Sequence, residues 1–171
     1  LIMKPIGNGK LSKRDGDKLG FPVFPLDWKT PEGISSGYRE KGFFPEAVIN
    51  FLALLGWNDG TDKELFTLDE LVAAFDLNRV HKAGAKFDPE KNKWFNHQYL
   101  IKQKDTTLAQ AYAPIKKKKG YSVADNVLIK VVSLIKERAH FVSKFWEMSD
   151  FFFVAPTTYD EKASKNWKPE T

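Results

Sequence analysis

The sequence predicts a mostly helical protein with a small strand component. Three observations lead there. Capping and proline signals open a succession of segments with apolar residues at helical spacing. Strand character is confined to the opening residues, and glycine or proline stands where segments should end.

In chain order, Leu1 to Gly16 reads as a strand and a loop, with Gly7-Asn8-Gly9 as the turn. Asp17 to Gly37 reads as irregular, because Pro22, Pro25 and Pro31 remove donors and fix φ. Phe21, Phe24 and Trp28 are expected to pin that stretch to the body of the protein. Pro45 at a first helical turn, Val48, Phe51, Leu52 and Leu55 at helical spacing, and Gly56 beyond them predict a helix buried on most sides. Thr67-Leu68-Asp69-Glu70 has the form of a capping box and opens a helix with Leu71, Val72 and Phe75 inward, stopping near Asp76. Asp88-Pro89 supplies an N-cap and a proline at the first position of a third helix through Trp94, Phe95 and Ile101, where the domain junction is placed. Helices are then predicted from Thr107 to about Lys118, ended by Gly120, and from Ser122 to about His140. A further segment runs from Val142 to Phe153, and a last helix is capped by Thr158 with Glu161. Val127, Leu128, Val131, Leu134 and Ile135 give the long helix an apolar face, and Pro114 and Pro156 are expected to interrupt or separate elements.

Composition narrows the function classes. The 171 residues allow one sizeable domain or two small ones, and 42% hydrophobic content is ample for a packed core. Lys and Arg number 27 against 22 Asp and Glu, a net charge of +5 that favours a polyanionic partner. The absence of cysteine excludes disulfides, thiolate metal sites and cysteine nucleophiles, and fits a reducing compartment. No apolar run approaches the roughly 20 residues of a membrane span, so a cytoplasmic protein is expected.

Chemistry concentrates at Lys10-Leu11-Ser12-Lys13-Arg14. Two lysines around a serine on a glycine-flanked loop could bring two cations and a hydroxyl to a polyphosphate. A passive basic surface loop fits the same residues. A phosphate-binding P-loop does not, since Leu11 stands where Ser or Thr is required and Lys4 where the first glycine should be.

The string resembles the Lys-Met-Ser-Lys-Ser signature of class I aminoacyl-tRNA synthetases, in a Lys-Leu-Ser-Lys-Arg form followed by Asp15-Gly16 as in the glutamyl enzymes. Gly42-Phe43-Phe44-Pro45-Glu46-Ala47-Val48-Ile49-Asn50-Phe51 through Trp57 resembles the helix after that loop in bacterial glutamate-tRNA ligases. Glu64 to Leu71, Phe75, Arg79-Val80 and Phe87-Asp88 to Asn96 continue the likeness in family order. Towards Thr171 it rests on helix order and on Tyr159 to Trp167. The stretch from Asp17 to Tyr38 is longer than the usual family connection.

The resemblance implies a fold in three parts: the end of a Rossmann-type catalytic domain with its ATP loop at 1–16, a small α/β stem-contact region at 17–95, and the start of a helical anticodon-binding bundle at 96–171. The family's His-Ile-Gly-His-type signature would precede Leu1, so the chain is expected to be an internal fragment, inactive alone. Lys13 would stabilise charge on ATP as glutamate attacks the alpha phosphorus, with Lys10, Leu11, Ser12 and Arg14 completing the loop. ATP with Mg would be a substrate of the intact enzyme, with none held stably by the fragment. Glutamate and its tRNA would be the other substrates, and a monomer is expected. A glutamine-tRNA ligase shares the loop, but its relatives carry beta-barrel anticodon domains where Thr107 to Trp167 reads as helical. A non-catalytic basic RNA-binding module is the remaining alternative.

Lys116-Lys117-Lys118-Lys119 fits either a solvated helix end or phosphate contacts along a tRNA arm. Arg79, Lys82 and Lys86 would meet the inner corner of an L-shaped tRNA. Trp94, Phe95, Phe145, Trp146 and Phe151 to Phe153 sit in apolar company and are read as core. His81, His97 and His140 have no ligand or triad partner at a telling spacing, and no metal site is expected.

Overall fold

The computed structural model describes residues 1–31, 33–155 and 157–158. The last predicted helix, beyond Thr158, and Pro156 lie outside them. The elements are β1 (Ile2–Met3), α1 (Lys13–Leu19), β2 (Trp28–Thr30), β3 (Gly33–Ser35), α2 (Pro45–Leu54), α3 (Leu68–Ala74), β4 (Ala85–Lys86), α4 (Pro89–Lys102), α5 (Asp105–Lys118), α6 (Asp125–Ile135) and α7 (Phe145–Ser149). Short 3-10 turns occupy Leu77–Arg79, Lys136–Arg138, Val142–Lys144 and Asp150–Phe152. β1 pairs in parallel with β4, Ile2 opposite Ala85 and Met3 opposite Lys86, while β2 and β3 form an antiparallel pair.

The caps predicted at Thr67 and Asp88 are present. Thr67 accepts from the Glu70 N–H, and Thr67 N–H donates to Glu70 Oε2 at 2.8 Å. Asp88 Oδ1 accepts from Glu90 and Lys91 ahead of Pro89 at the start of α4. Each contact satisfies an N–H that a first helical turn leaves open.

Several expectations about faces and boundaries need correction. α1 begins inside the expected loop, so Lys13 and Arg14 are helical. Asp17 to Gly37 contains the end of α1 and the β2–β3 hairpin, because its prolines fall outside the strands. Phe21 is buried and stacks on Phe87 at 4.6 Å, but Phe24 and Trp28 stack on each other at 5.4 Å, with Trp28 52% exposed. α2 buries only Ala47, Asn50 and Phe51 fully, and Leu52 is exposed. In α3 Leu71 is buried whereas Val72 faces outward, since α3 packs chiefly on α2, and Phe75 just after the helix is half exposed with its ring 5.7 Å from that of buried Trp57. α6 buries Leu128, Val131, Val132 and Ile135 and leaves Val127 and Leu134 exposed. Pro114 lies inside α5, where its exposed position accommodates the missing hydrogen bond.

Two cores flank α4. The first joins Phe21, Ala47, Phe51, Phe87 and Phe95, with Trp57, Phe66 and Leu71 in an adjoining cluster. The second joins Leu100, Leu108, Tyr112, Leu128, Val132 and Phe145. Fully burying one such Phe or Leu contributes about 1.5–3 kcal/mol. Two buried asparagines lock the arrangement. Asn50 Nδ2 donates to the Glu64 carbonyl and its Oδ1 accepts from Phe66 N–H, both at 2.8 Å, which fixes the loop before α3. Asn96 Oδ1 accepts from Phe44 N–H at 2.8 Å while its Nδ2 donates to the His140 carbonyl at 2.6 Å. One side chain thus joins the start of α2 to the second helical module, beside an edge-on contact of Phe43 and Phe141 at 4.9 Å. The ring centroids of His97 and His140 lie 5.2 Å apart at the same junction, with His97 Nδ1 2.7 Å from the Ala139 carbonyl.

Candidate functional site

Backbone pairing sets the lysine signature in place. Lys4 N–H donates to Gly9 at 3.0 Å and Leu11 N–H to Ile2 at 2.9 Å, so the turn between them closes and Lys10 emerges opposite Met3. The positive φ of Gly7 and Gly9 makes that turn possible. Leu11 packs into the first core, which anchors the chain just before Ser12 caps α1.

Asp15 organises the first turn of α1. Its Oδ2 accepts from the Ser12 hydroxyl at 2.6 Å and from Ser12 N–H at 2.8 Å, and Lys4 Nζ lies 3.0 Å from its Oδ1. The Ser12 hydroxyl first, then the Ser12 N–H and Lys4, hold the carboxyl at about 2, well below its ordinary 3.8. The sequence carried a signal for this role in Ser12-Lys13-Arg14-Asp15, a cap residue followed three positions later by an acid.

Beside α1 lies a cleft of about 560 Å³ lined by Lys13, Arg14, Phe24, Trp28, Ser36 and Lys41, among others. Lys10 and Ser12 do not line it. Lys13 Nζ stands 5.2 Å from the Phe24 ring centre and 5.9 Å from that of Trp28, within cation–π range. Ser35 Oγ–H donates to Asp17 Oδ2 at 2.8 Å and ties the hairpin to α1. Gly37 allows the hairpin to close, since a Cβ there would lie 2.1 Å from the Leu26 carbonyl carbon. Phe24, Trp28 and Lys41 escape sequence reasoning because nothing in their spacing shows that the stretch folds back over α1.

The structure places the other candidate cations as follows. Arg79 ends a 3-10 turn with its guanidinium over Gly60, Lys82 is exposed in the following loop, and Lys86 is exposed on β4. Lys117, Lys118 and Lys119 are exposed at the end of α5. Lys116 is 4% exposed, with Nζ 6.0 Å from the Phe153 ring centre, and is a packed residue rather than a surface charge. Among the described residues no three His, Cys, Asp or Glu side chains converge on a metal position, and no helix is long and apolar enough to cross a membrane.

Comparison with known proteins matches two regions of the chain. Residues 2–94 match the family model for the catalytic domain of class I tRNA synthetases (E and Q), and residues 99–171 match an anticodon binding domain. The whole chain is 78% identical to a glutamate–tRNA ligase of Flavobacterium johnsoniae and 55% identical to one of Porphyromonas gingivalis, covering 34% of each relative. It therefore spans about a third of the length of these relatives. Among solved structures, a glutamate tRNA ligase from Elizabethkingia meningosepticum in complex with its amino acid superposes with a TM-score of 0.90 at 49% identity, over 99% of this chain and 34% of that one. A glutamate-tRNA synthetase from Elizabethkingia anophelis gives a TM-score of 0.91 at 50% identity, over 96% of this chain and 34% of that one. With more than half its residues matched by the catalytic-domain model, the chain belongs to the class I tRNA synthetases of the E and Q family.

Proposed function

We propose that this chain is part of a glutamate–tRNA ligase that activates glutamate with ATP and transfers it to its tRNA. The observation that carries this reading is the 78% identity to a glutamate–tRNA ligase along all 171 residues. In this reading residues 1–16 close the catalytic domain, 17–95 form the stem-contact region, and 96–171 begin the anticodon-binding region. The chain supplies the ATP loop and a tRNA-binding surface. The glutamine alternative expects strands after the stem-contact region, and among the described residues none follows β4.

The chemistry assigned to the loop is electrostatic. Glutamate's carboxylate attacks the alpha phosphorus, pyrophosphate leaves, and Lys13 neutralises charge on the departing oxygens while Lys10 and Arg14 hold the phosphates and Ser12 donates its hydroxyl. Mg would accompany ATP as part of the substrate of the intact enzyme. Lys82, Lys86, Arg79 and the exposed Lys117 to Lys119 are assigned to tRNA phosphates. A cytoplasmic setting and a monomer complete the proposal.

The test is Lys13→Ala in the longer ligase that contains these residues. Charging of glutamate tRNA should fall by about 100-fold or more with tRNA affinity unchanged. Charging at the parent rate would overturn the assignment.

A further inference from the structure

Two of the signature's reactive groups have internal partners in this structure. The single hydrogen of the Ser12 hydroxyl is donated to Asp15 at 2.6 Å. The Lys13 ammonium rests 5.2 Å from the Phe24 centroid and 5.9 Å from that of Trp28, rings that stack with an interplanar angle of 15°. Lys10 does not line the cleft that Lys13 enters. Both the hydroxyl and the ammonium assigned to ATP therefore rest on internal partners that a nucleotide would displace.

The aromatic pair is held where it can do this. Phe24 pairs with Gly37, its carbonyl accepts from Tyr38 N–H at 2.9 Å, and Trp28 stands on β2 opposite Ser35. Ser35 in turn donates to Asp17 on α1, three residues on from Arg14. The hairpin that carries the rings is thus fastened to the helix that carries the lysine. A Trp side chain left 52% exposed while stacked on a second ring presents a broad π face to solvent. Electrostatic attraction to that face is a reason for a neighbouring cation to remain there.

We propose that Phe24 and Trp28 are positioning residues for Lys13, holding its ammonium on the stacked rings until ATP displaces it. The proposal rests on the ATP role assigned to Lys13 under the proposed function. A cation on exposed rings is favoured by about two- to five-fold over its free rotamers, so engagement of the phosphates carries a cost of that size. Removing the rings should release the lysine and make ATP use more efficient, the opposite of what damage to the fold would do.

The experiment has two parts. In the longer ligase with selectively labelled lysine, NMR should find the Lys13 ε-methylene protons upfield of ordinary lysine through the ring currents, and Trp28→Leu should return them towards the ordinary position. In the longer ligase, Trp28→Leu and, separately, Phe24→Leu should raise kcat/KM for ATP in tRNA charging by about two- to five-fold. Trp28→Phe, which restores a π face, should bring back most of the proton shift and the slower rate. Ordinary Lys13 proton shifts, or a kcat/KM that is unchanged or lowered in both leucine variants, would overturn the proposal. Lys13→Ala separates the two readings. If it charges normally, the ATP role fails whatever the proton shifts show. If it is crippled while the leucine variants match the parent, the positioning role alone fails.

Discussion

At Asp15 three donors converge on one carboxylate, and the result is a residue that must lose its proton for the head of α1 to hold its shape. Its folded value of about 2 lies below the ordinary 3.8, so the unfolded chain binds the proton more readily. The stability it contributes is complete above about pH 3.8 and is lost as pH falls through about 2. An NMR titration should place the Asp15 carboxyl midpoint near 2, and Lys4→Ala should move it upward, but by less than Ser12→Ala does, because the Ser12 hydroxyl is the largest cause. The side chains flanking Asp15 also show what the sequence could convey. Ser12 and Asp15 carry the spacing of a cap and an acid, although the stretch reads first as a loop and α1 begins inside it. Lys13 turning onto Phe24 and Trp28 was not legible, because that contact exists only once residues distant along the chain fold back over α1.

At the scale of elements, α2 and α4 were legible because Pro45 and Asp88-Pro89 fix their first turns locally. The solvent-facing side of α3 was not, since Val72 at 73% exposure has the same apolar character as buried Leu71 and only the number of packing neighbours separates them. The hairpin was hidden for a related reason: proline reads as a breaker, although β2 and β3 exclude it from their paired positions. The end of α5 supports a prediction of its own. Lys117, Lys118 and Lys119 are exposed while Lys116 is packed, so a run that is uniform in sequence should divide in function. Replacing the three exposed lysines with alanine should reduce the log–log salt slope of tRNA binding by up to about 3 and leave the melting temperature in place. Lys116→Ala should leave the slope unchanged and lower the melting temperature. Equal effects on the slope from all four positions would contradict the division.

Across the whole molecule, the two cores are tied at Asn96, which serves Phe44 with one atom and His140 with another. Asn96→Ala leaves a partly buried N–H and a carbonyl without this partner and should cost about 1 kcal/mol, seen as a lower unfolding midpoint in denaturant. The loss should also separate the melting of the two helical modules, detectable as unequal transitions by near-UV and far-UV signals. A single coincident transition at the parent midpoint would show that the aromatic contact of Phe43 with Phe141 holds the junction unaided. The order of parts along the chain was readable from motif order, but Asn96 itself was not, because an asparagine inside a helix carries no mark of the strangers it will meet.

The parallel pairing of β1 with β4 has a consequence for the order in which the molecule assembles. Ile2 and Met3 take their strand partners from Ala85 and Lys86, and a parallel pair cannot be closed by a tight turn. As the chain leaves the ribosome, α2 and α3 can form from contacts near in sequence, while β1 waits for a partner still to be made. The lysine signature is thus synthesised, and its local turn can close, well ahead of the strand that completes the pairing of β1.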